Sequence, residues 1–460
     1  MGVQSLETAK TALIAFQAAI DVSSHNVANA QTEGYVRQTA ELSSIPGNTL
    51  AGSEVGGIGG GVELTNVQRM TDNLLSVQIN AQTANQSRDQ VVSDALAQVE
   101  DIFNDTTDGG IAQTLSDMFS AWQKLGSQPT EAAIRDEVIQ DSGNVADAIR
   151  QRASDVSALG DEMDREVVDE VRQVNDLAQQ IADLNDKIST ADNSAASADL
   201  LDLRDQAMTK LSGLCGATAI PEANNTIDVV IGGQRLVQDN HTTALTTVLD
   251  PDNPGKHLVS LGGNTTLPGL SGSIAGQLDV RDNYLPKYTA KLDTLAQTLA
   301  DAMNKQHEAG FDLQNNAGQA LFTYDPTSPA ASIRFSAAIA ADNGLLAAAS
   351  ATDQDGDGQN ATAMQEVSSQ KLLGDGLQTI QEYNADAIAQ LGSDASSANN
   401  TADTRTQVLT DLTTRYQANA GVSLDEEAID VVKYQKEYEA AARIVDVSLQ
   451  MLDSVLAIWT

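Results

Sequence analysis

The chain has 460 residues, 41% of them apolar, which is enough for real cores and suggests about three domains, while aromatics at 3% suit long helices packed through small side chains. Lys and Arg total 26 against 64 Asp and Glu, and the formal charge of -38 sets most of the surface against phosphate backbones and anionic membranes, so neither nucleic acid nor a membrane is expected as a partner. One cysteine, Cys215, excludes an intramolecular disulfide framework, and four scattered histidines exclude the usual zinc spacings.

No run approaches the roughly 18 apolar residues of a transmembrane helix, and the start, MGVQSLETAK, lacks a basic segment followed by an apolar one, so no Sec signal is expected. Residues 3–30 read as an amphipathic helix, with Leu6, Ala9, Leu13, Phe16 and Ile20 at three-four spacing. The helix runs into HNVANAQTEGYVRQ (residues 25–38), where Gly34 is a terminator and Tyr35 an anchor for the departing chain. On the residues alone His25, Asn26 and Asn29 serve as side chains that hydrogen-bond a helix end. Residues 43–61 are loop-like and close in GGIGGG. The sixth position counted from Gly57 is Val62, so the dinucleotide fingerprint fails and the glycines are flexible turns.

Helical patterns then dominate residues 67–211. The clearest is a stripe from Val156 through Met163, Val171 and Ile181 to Ile188, which predicts a long rod helix. Residues 214–261 change character. TIDVVIGGQRLV (residues 226–237) is a strand, a Gly-Gly turn and a strand, and four prolines punctuate the surrounding chain. Helix returns near Asp282 and breaks at Gly310; HEAGF at His307 is not a zincin motif, since Phe311 stands where a second histidine is needed. ALFTY and ASIRF predict short strands in a second, minor insertion over 311–360. Asp353, Asp355, Asp357 and Gly358 fit the first half of a calcium loop, but Met364 occupies the position of the bidentate Glu, so a plain acidic turn is expected. Helical periodicity resumes near Ala363 and reaches Tyr416.

The last stretch, 424–459, reads as one helix with a heptad seam through Leu424, Ala428, Val431, Gln435, Tyr438, Ala442, Val445, Leu449, Leu452, Leu456 and Trp459. A second line, Ile444, Val447, Met451, Val455 and Ile458, makes its end apolar on more than one side, so it needs more than one neighbour. The fold class is therefore mainly α with β insertions. The N- and C-terminal helices pair as a coiled coil (1–65 and 420–460), a helical rod takes 66–213, 272–310 and 361–419, a β-rich insertion takes 214–271, and the minor one takes 311–360. His241 and His257 are the only candidates for catalysis, and no nucleophile, base and oxyanion donors converge around them in the sequence; no enzyme, cofactor or metal is expected.

HNVANAQTEGYVRQ after an amphipathic helix resembles the N-terminal signature shared by bacterial flagellar rod, hook and hook-associated proteins, and GVSLDEEAIDVVKYQKEYEAAARIVDVSLQMLDSVLAI resembles their C-terminal helix. The GVSLDEE lead-in, GVELTNVQRMTDNLL (61–75) and the block RDNYLPKYTAKLDTLAQTLADAMNKQHEAGFDLQNNAGQALF (281–322) are similar to the hook-associated protein 1 (FlgK) family; hook and distal rod proteins are the alternative. Val36 departs from the Ser common at that position, and the chain is short for the family. The resemblance implies an extracellular structural protein of the flagellum, exported by the flagellar type III system and polymerised between hook and filament. It implies as partners further copies of itself, the hook protein, hook-associated protein 3 and an export chaperone on the C-terminal helix. It implies a subunit interface at Leu6, Leu13, Phe16, Ile20, Asn26, Asn29, Gly34 and Tyr35 of the first segment and Tyr438, Ala442, Val445, Leu449, Leu452 and Leu456 of the last.

Overall fold

The computed structural model describes residues 2–46, 59–104, 109–191, 195–251, 253–263 and 267–458. The first helix, α1 (Gly2–Asn29), gives way to an antiparallel hairpin, β1 (Gln38–Ile45) and β2 (Gly61–Arg69), in register from Gln38 opposite Arg69 to Ile45 opposite Gly61 with a bulge at Glu41 and Leu42. This hairpin corrects two expectations. Residues 43–45 are strand rather than loop, and 67–69 are strand rather than the start of helix. Residues 47–58, which hold most of the expected loop and Gly56 to Ile58 of GGIGGG, lie outside the described residues.

The rod follows as α2 (Asn73–Ile102), α3 (Ile111–Ser127), α4 (Ala132–Thr190) and α5 (Ala195–Cys215). Asp72 caps α2 by accepting from Leu75 N at 3.0 Å, which satisfies one of the free N–H groups of its first turn. At 59 residues α4 is longer than the 156–188 stripe; it spans about 90 Å at 1.5 Å per residue. Its buried face runs unbroken from Val138 to Ile188, and that long stripe holds two separate packing sets together.

The β-rich insertion is built from β3 (Thr218–Pro221), β4 (Ile227–Ile231), β5 (Gln234–Gln238), β6 (His241–Thr242), β7 (Leu245–Leu249) and β8 (His257–Leu261). The first four form one antiparallel sheet in sequence order, and β7 and β8 form a separate hairpin. Gly232 and Gly233 turn β4 into β5 with φ of +55° and +81°, a backbone that side-chain-bearing residues resist, so the Gly-Gly signal is a hairpin as expected. Helix returns at α6 (Gly272–Asp279), passes through a π-helical stretch at Val280–Tyr284 and continues as α7 (Leu285–Glu308). It thus begins ten residues before Asp282, because Pro286 at the start of α7 is accommodated by the π-helical turn rather than ending the helix.

The minor insertion holds β9 (Phe322–Thr323), α8 (Pro329–Ser332), β10 (Arg334–Phe335) and α9 (Ala337–Ala341); β9 and β10 pair antiparallel, as ALFTY and ASIRF predict. It is not packed apart. Leu321, Phe322, Ile333 and Leu346 join Trp122, Ile149, Tyr288 and Leu299 in one core with the rod. Arg135 pins it: fully buried with no carboxylate bonded to it, the guanidinium donates to the carbonyls of Pro129 (2.7 Å), Asn343 (2.9 Å) and Leu346 (3.0 Å). A second core joins the far half of α4 and α5 to the β-rich insertion through Val174, Ile181, Leu211, Val229 and Leu236.

The chain ends with α10 (Gln359–Glu366), α11 (Ile380–Ala420) and α12 (Leu424–Ile458). Thr379 and Glu382 start α11 with a reciprocal capping box. Asp425, Glu426 and Glu427 occupy the first turn of α12, where carboxylates meet the positive end of the helix dipole.

Candidate assembly site

The two terminal helices lie antiparallel, with Ser5 Oγ and Ser448 Oγ 3.1 Å apart at one end and Asn26 bonded to Glu427 at the other. Their contact is made by small side chains. Ala9, Ala15, Ala19 and Val22 are buried on α1, and Ala441 and Ser448 on α12, which lets the two backbones approach closely.

This displaces the expected heptad seam. Val431, Val445 and Leu452 are half-buried in the pair, as is Ala442, but Leu424, Ala428, Gln435 and Leu449 point away and Tyr438 is at the margin. The buried line runs instead through Glu427, Ala441 and Ser448, with Tyr434 half-buried along it, because α1 offers alanines that accept a close neighbour and the Glu427 carboxylate finds partners there. The side chain of Leu456, like all of Trp459, lies outside the described residues.

The consequence is an apolar surface on both sides of the pair. Leu6, Leu13, Phe16 and Ile20 are half-buried on α1, and Ile14 is 62% exposed. On α12, Ile429, Val432, Ile444, Val447 and Met451 fall on one exposed helical stripe, with Ile429 67% and Met451 56% exposed.

The turn after α1 is a polar hub that ties the first segment to the last. Asn26, 1% exposed, donates from Nδ2 to Gln38 O (2.8 Å) and Glu427 Oε2 (3.0 Å), and its Oδ1 accepts from Gln38 N (2.9 Å) and the Tyr35 hydroxyl (2.8 Å). Both Nδ2 hydrogens of Asn26 and two acceptor positions of its Oδ1 are thus engaged within the chain. Asn29 Nδ2 does bond the helix end, at His25 O (3.1 Å).

Arg37 fans across the first turns of α12, with Nε to Glu427 (2.7 Å), Nη1 to Glu426 (2.8 Å) and Nη2 near Asp430 (3.5 Å). Gly34 has φ +73°, and a Cβ there would lie 2.5 Å from Gln206 Cγ, so this terminator needs both the left-handed backbone and the missing side chain. Tyr35 packs at the turn, and burial, then the carboxylates of Asp199, Asp202 and Glu427, push its hydroxyl further above its ordinary range.

The hub also meets α5. Val36 N donates to Asp202 Oδ2 (3.2 Å), Arg69 stands 2.5 Å from Asp202 and 2.7 Å from Asp205, and His25 and Gln38 reach Asp199 at 3.3 and 3.0 Å. Burial pushes the Asp202 carboxyl up to about 6, against the pull of Arg69 and of the Val36 N–H. Arg37, Gln38, Arg69, Asp202 and Glu427 escaped the sequence reading. The signal was present in the arginine of GYVRQ, the DEE of the helix start and the three-residue spacing of Asp199, Asp202 and Asp205.

Elsewhere the side chains that could do chemistry hold structure. His257 Nδ1 lies 2.6 Å from Asp164, whose other oxygen accepts from His257 N (2.8 Å) and Arg281 Nη1 (2.5 Å). Burial works against the Asp164 carboxylate, but these bonds hold it below its ordinary range, and the cluster clips β8 to α4 and to the π-helical turn. His241 is exposed on β6. Asp357 accepts from Ser350 N and Oγ and from Gln359 N, which makes it a turn residue of the kind expected. Among the described residues no group of three or more His, Cys, Asp or Glu is placed to hold a metal, and no helix is long and apolar enough to cross a membrane.

Two family models match the sequence: the flagellar hook-associated protein FlgK helical domain over residues 96–322, and the flagella basal body rod protein over residues 6–35. Flagellar hook-associated protein 1 of Bacillus subtilis is 28% identical, over 98% of this chain and 97% of that protein. Its namesake from Escherichia coli is 23% identical over 98% and 99%. In fold the chain is similar to the flagellar hook junction protein FlgK from Burkholderia pseudomallei, at a TM-score of 0.66 and 17% identity, covering 75% of this chain and all of that one.

Proposed function

Given that the chain belongs to the family of flagellar hook-associated protein 1, structural proteins of the hook-filament junction, we propose that it polymerises there through the flanks of its terminal helix pair. The carrying observation is the stripe of Ile429, Val432, Ile444, Val447 and Met451, exposed on a helix whose small residues face α1. Each such side chain contributes about 1.5 to 3 kcal/mol when removed from water, and among the described residues no second helix of the subunit covers the stripe. Further copies of the chain do so in the polymer.

Above and below, the neighbours in this reading are hook-associated protein 3 and the hook protein. Before assembly the chain leaves the cell through the flagellar type III system, with an export chaperone covering the apolar stripe of α12. Surplus acidic charge, a single cysteine and terminal helices that do not complete their own packing support export in an unfolded state followed by assembly outside.

The test is electron microscopy of a strain lacking the protein. Hooks without filaments are expected, with filaments restored by the gene in trans. Full-length filaments on the deletion strain would overturn the reading, and an absence of hooks would favour a rod or hook role instead.

A further inference from the structure

Every residue of the two apolar cores, and every apolar residue packed against them, lies between Val92 and Ala398. The terminal unit, made of α1, the hairpin and α12, therefore belongs to neither. It meets the rod on one short face of α5 and at the end of α11, where Arg37 N donates to Ala420 O at 2.8 Å. Asp199, Asp202 and Asp205, at three-residue spacing and so on one side of that helix, receive His25, Gln38, Val36 N and Arg69, and one step on Gln206 donates to Glu33 O at 3.0 Å. Val36 is the only fully buried apolar side chain between residues 30 and 37. The chain crosses between unit and rod twice, at 70–72 and at 421–423, and neither stretch is helix or strand.

Apolar surface resists parting whatever its charge, whereas hydrogen bonds and ion pairs exchange with water at little net loss. This seat is also incompletely satisfied. Arg69 Nε and Gln38 Oε1 are buried without a hydrogen-bond partner, and although Arg69 Nη2 stands close to Asp202 Oδ1, that oxygen receives no well-aligned N–H. Asp202 is a carboxylate whose burial works against it more than its partners help.

We propose that the Asp199, Asp202 and Asp205 face of α5 is a charged seat, in which Arg69 holds the terminal unit at one angle to the rod and from which the unit pivots on 70–72 and 421–423. The rod and the helix pair are each rigid by their own packing, and the angle between them is set by one buried cation. A subunit built this way changes that angle without repacking a core.

The full-length chain at low micromolar concentration is spin-labelled at Gln17→Cys on α1 and Asp186→Cys on α4, both exposed positions. Cys215 is buried, and burial pushes its thiol up to about 12, so labels go to the introduced cysteines. Double electron-electron resonance should give one narrow distance distribution in this background. Arg69→Gln, and separately Asp202→Asn with Asp205→Asn, should broaden it at least twofold or add a second distance. Arg69→Lys, which keeps the charge, should leave it narrow. A control pair within the unit, Gln17→Cys with Gln435→Cys, should not change, and neither should the thermal unfolding of the rod. A distribution already broad with Arg69 in place, or one that stays narrow in Arg69→Gln and in the double Asp variant, overturns the proposal. So does broadening of the control pair, which would mean that the helices melt rather than pivot.

Discussion

Asn26 and Glu427 stand 401 residues apart in sequence and 3.0 Å apart in space, and their bond is the point where the first helix is fastened to the last. Glu427 is 1% exposed and carries its charge between Asn26 and Arg37. Taking away one partner of a buried ion pair leaves the other charge uncompensated, at roughly 3 to 5 kcal/mol, whereas losing a neutral partner costs about 1 to 3. Arg37→Ala is therefore expected to loosen α12 more than Asn26→Ala does. Hydrogen exchange should show faster exchange in α1 and α12 in that order of severity, with the amides of α4 and α7 unchanged. Equal exchange in both variants and the parent would mean that the hub does not fasten the pair.

Gly34 gives a prediction that separates backbone from space. Gly34→Ala forces a left-handed conformation on a residue with a Cβ, about 1 to 2 kcal/mol, and also drives that Cβ into Gln206. Gly34→Ala with Gln206→Ala removes the collision and keeps the backbone strain. Protease release of the terminal unit should be fastest in the single variant, intermediate in the double and slowest in the parent. If the double variant matches the parent, the positive φ carries no cost and only the close approach matters.

His307 sets a pH dependence. Its ring is fully buried at the end of α7 against Trp122; Nδ1 lies 2.6 Å from Gln319 O and must carry the proton, while Nε2 accepts from Ala347 N at 2.9 Å. Burial lowers its pKa to about 4, from an ordinary 6.5. The folded chain therefore keeps the ring neutral while the unfolded chain takes up a proton, so the ring's contribution is fully present above about pH 6.5 and is lost as pH falls toward 4, by roughly 3 kcal/mol in all. Asp202, raised to about 6, acts in the opposite direction over much of the same window. The informative measurement is thus the difference in denaturant stability between the parent and His307→Asn, in which the Asp202 effect cancels. The variant should be less stable at pH 7.5, and the gap should narrow steadily on acidification. A gap independent of pH would show that the ring is accessible to protons when folded.

The acidic turn predicts an absence of binding. Asp357 is engaged by Ser350 and Gln359, Asp353 N is bonded to Asn315, and Met364 is buried in the rod core where a calcium loop needs a carboxylate. Calorimetry should find no stoichiometric calcium binding in the micromolar range. Heat that saturates at one ion per chain and disappears in Asp355→Ala would contradict this.

What could be read in advance followed periodicity, and what could not depended on pairing across distance. The stripe of Val156 to Ile188 marked α4 because each residue reports its own face, and Gly232 with Gly233 marked a hairpin by local chemistry. The β1 and β2 hairpin was missed because QTAELSSI carries only weak alternation and its partner lies beyond a glycine-rich stretch; its register is set by the two strands together and by α1, which neither segment contains alone. The terminal seam was rotated for a related reason. A helix apolar on several sides offers more than one possible line, and the one taken, through Ala441 and Ser448, packs on a helix whose own buried residues are the small Ala9, Ala15 and Ala19. Arg37 and Glu427 each look like surface charges in sequence, and only their meeting makes them a hub.

The rotated seam sharpens what should be mutated to stop assembly. Tyr434, Ala441, Val445 and Ser448 serve the pair within one subunit, so changing them would confuse folding with polymerisation. Val447 and Met451 sit on the outer stripe at the four-residue spacing that puts both on one face, exposed and without apolar cover inside the chain. Val447→Asp with Met451→Asp should leave the α1 and α12 pair intact, leave the thermal transition of the rod where it is, and abolish incorporation at hooks, because two carboxylates would have to enter an apolar contact between subunits. Brief proteolysis supplies the accompanying measurement. In the free chain the terminal unit joins the rod through 70–72 and 421–423, which are neither helix nor strand, so cleavage should fall at these crossings while the rod and β-rich insertion stay whole, and neighbouring subunits cover the crossings only in the polymer. The double variant should be trimmed at the same rate as the parent before assembly, yet gain no protection when mixed with hooks, whereas the parent becomes resistant. If the variant is incorporated, the outer stripe is not the contact between subunits; if the parent's crossings already resist protease when free, they are covered before the chain meets a neighbour, and assembly does not protect them.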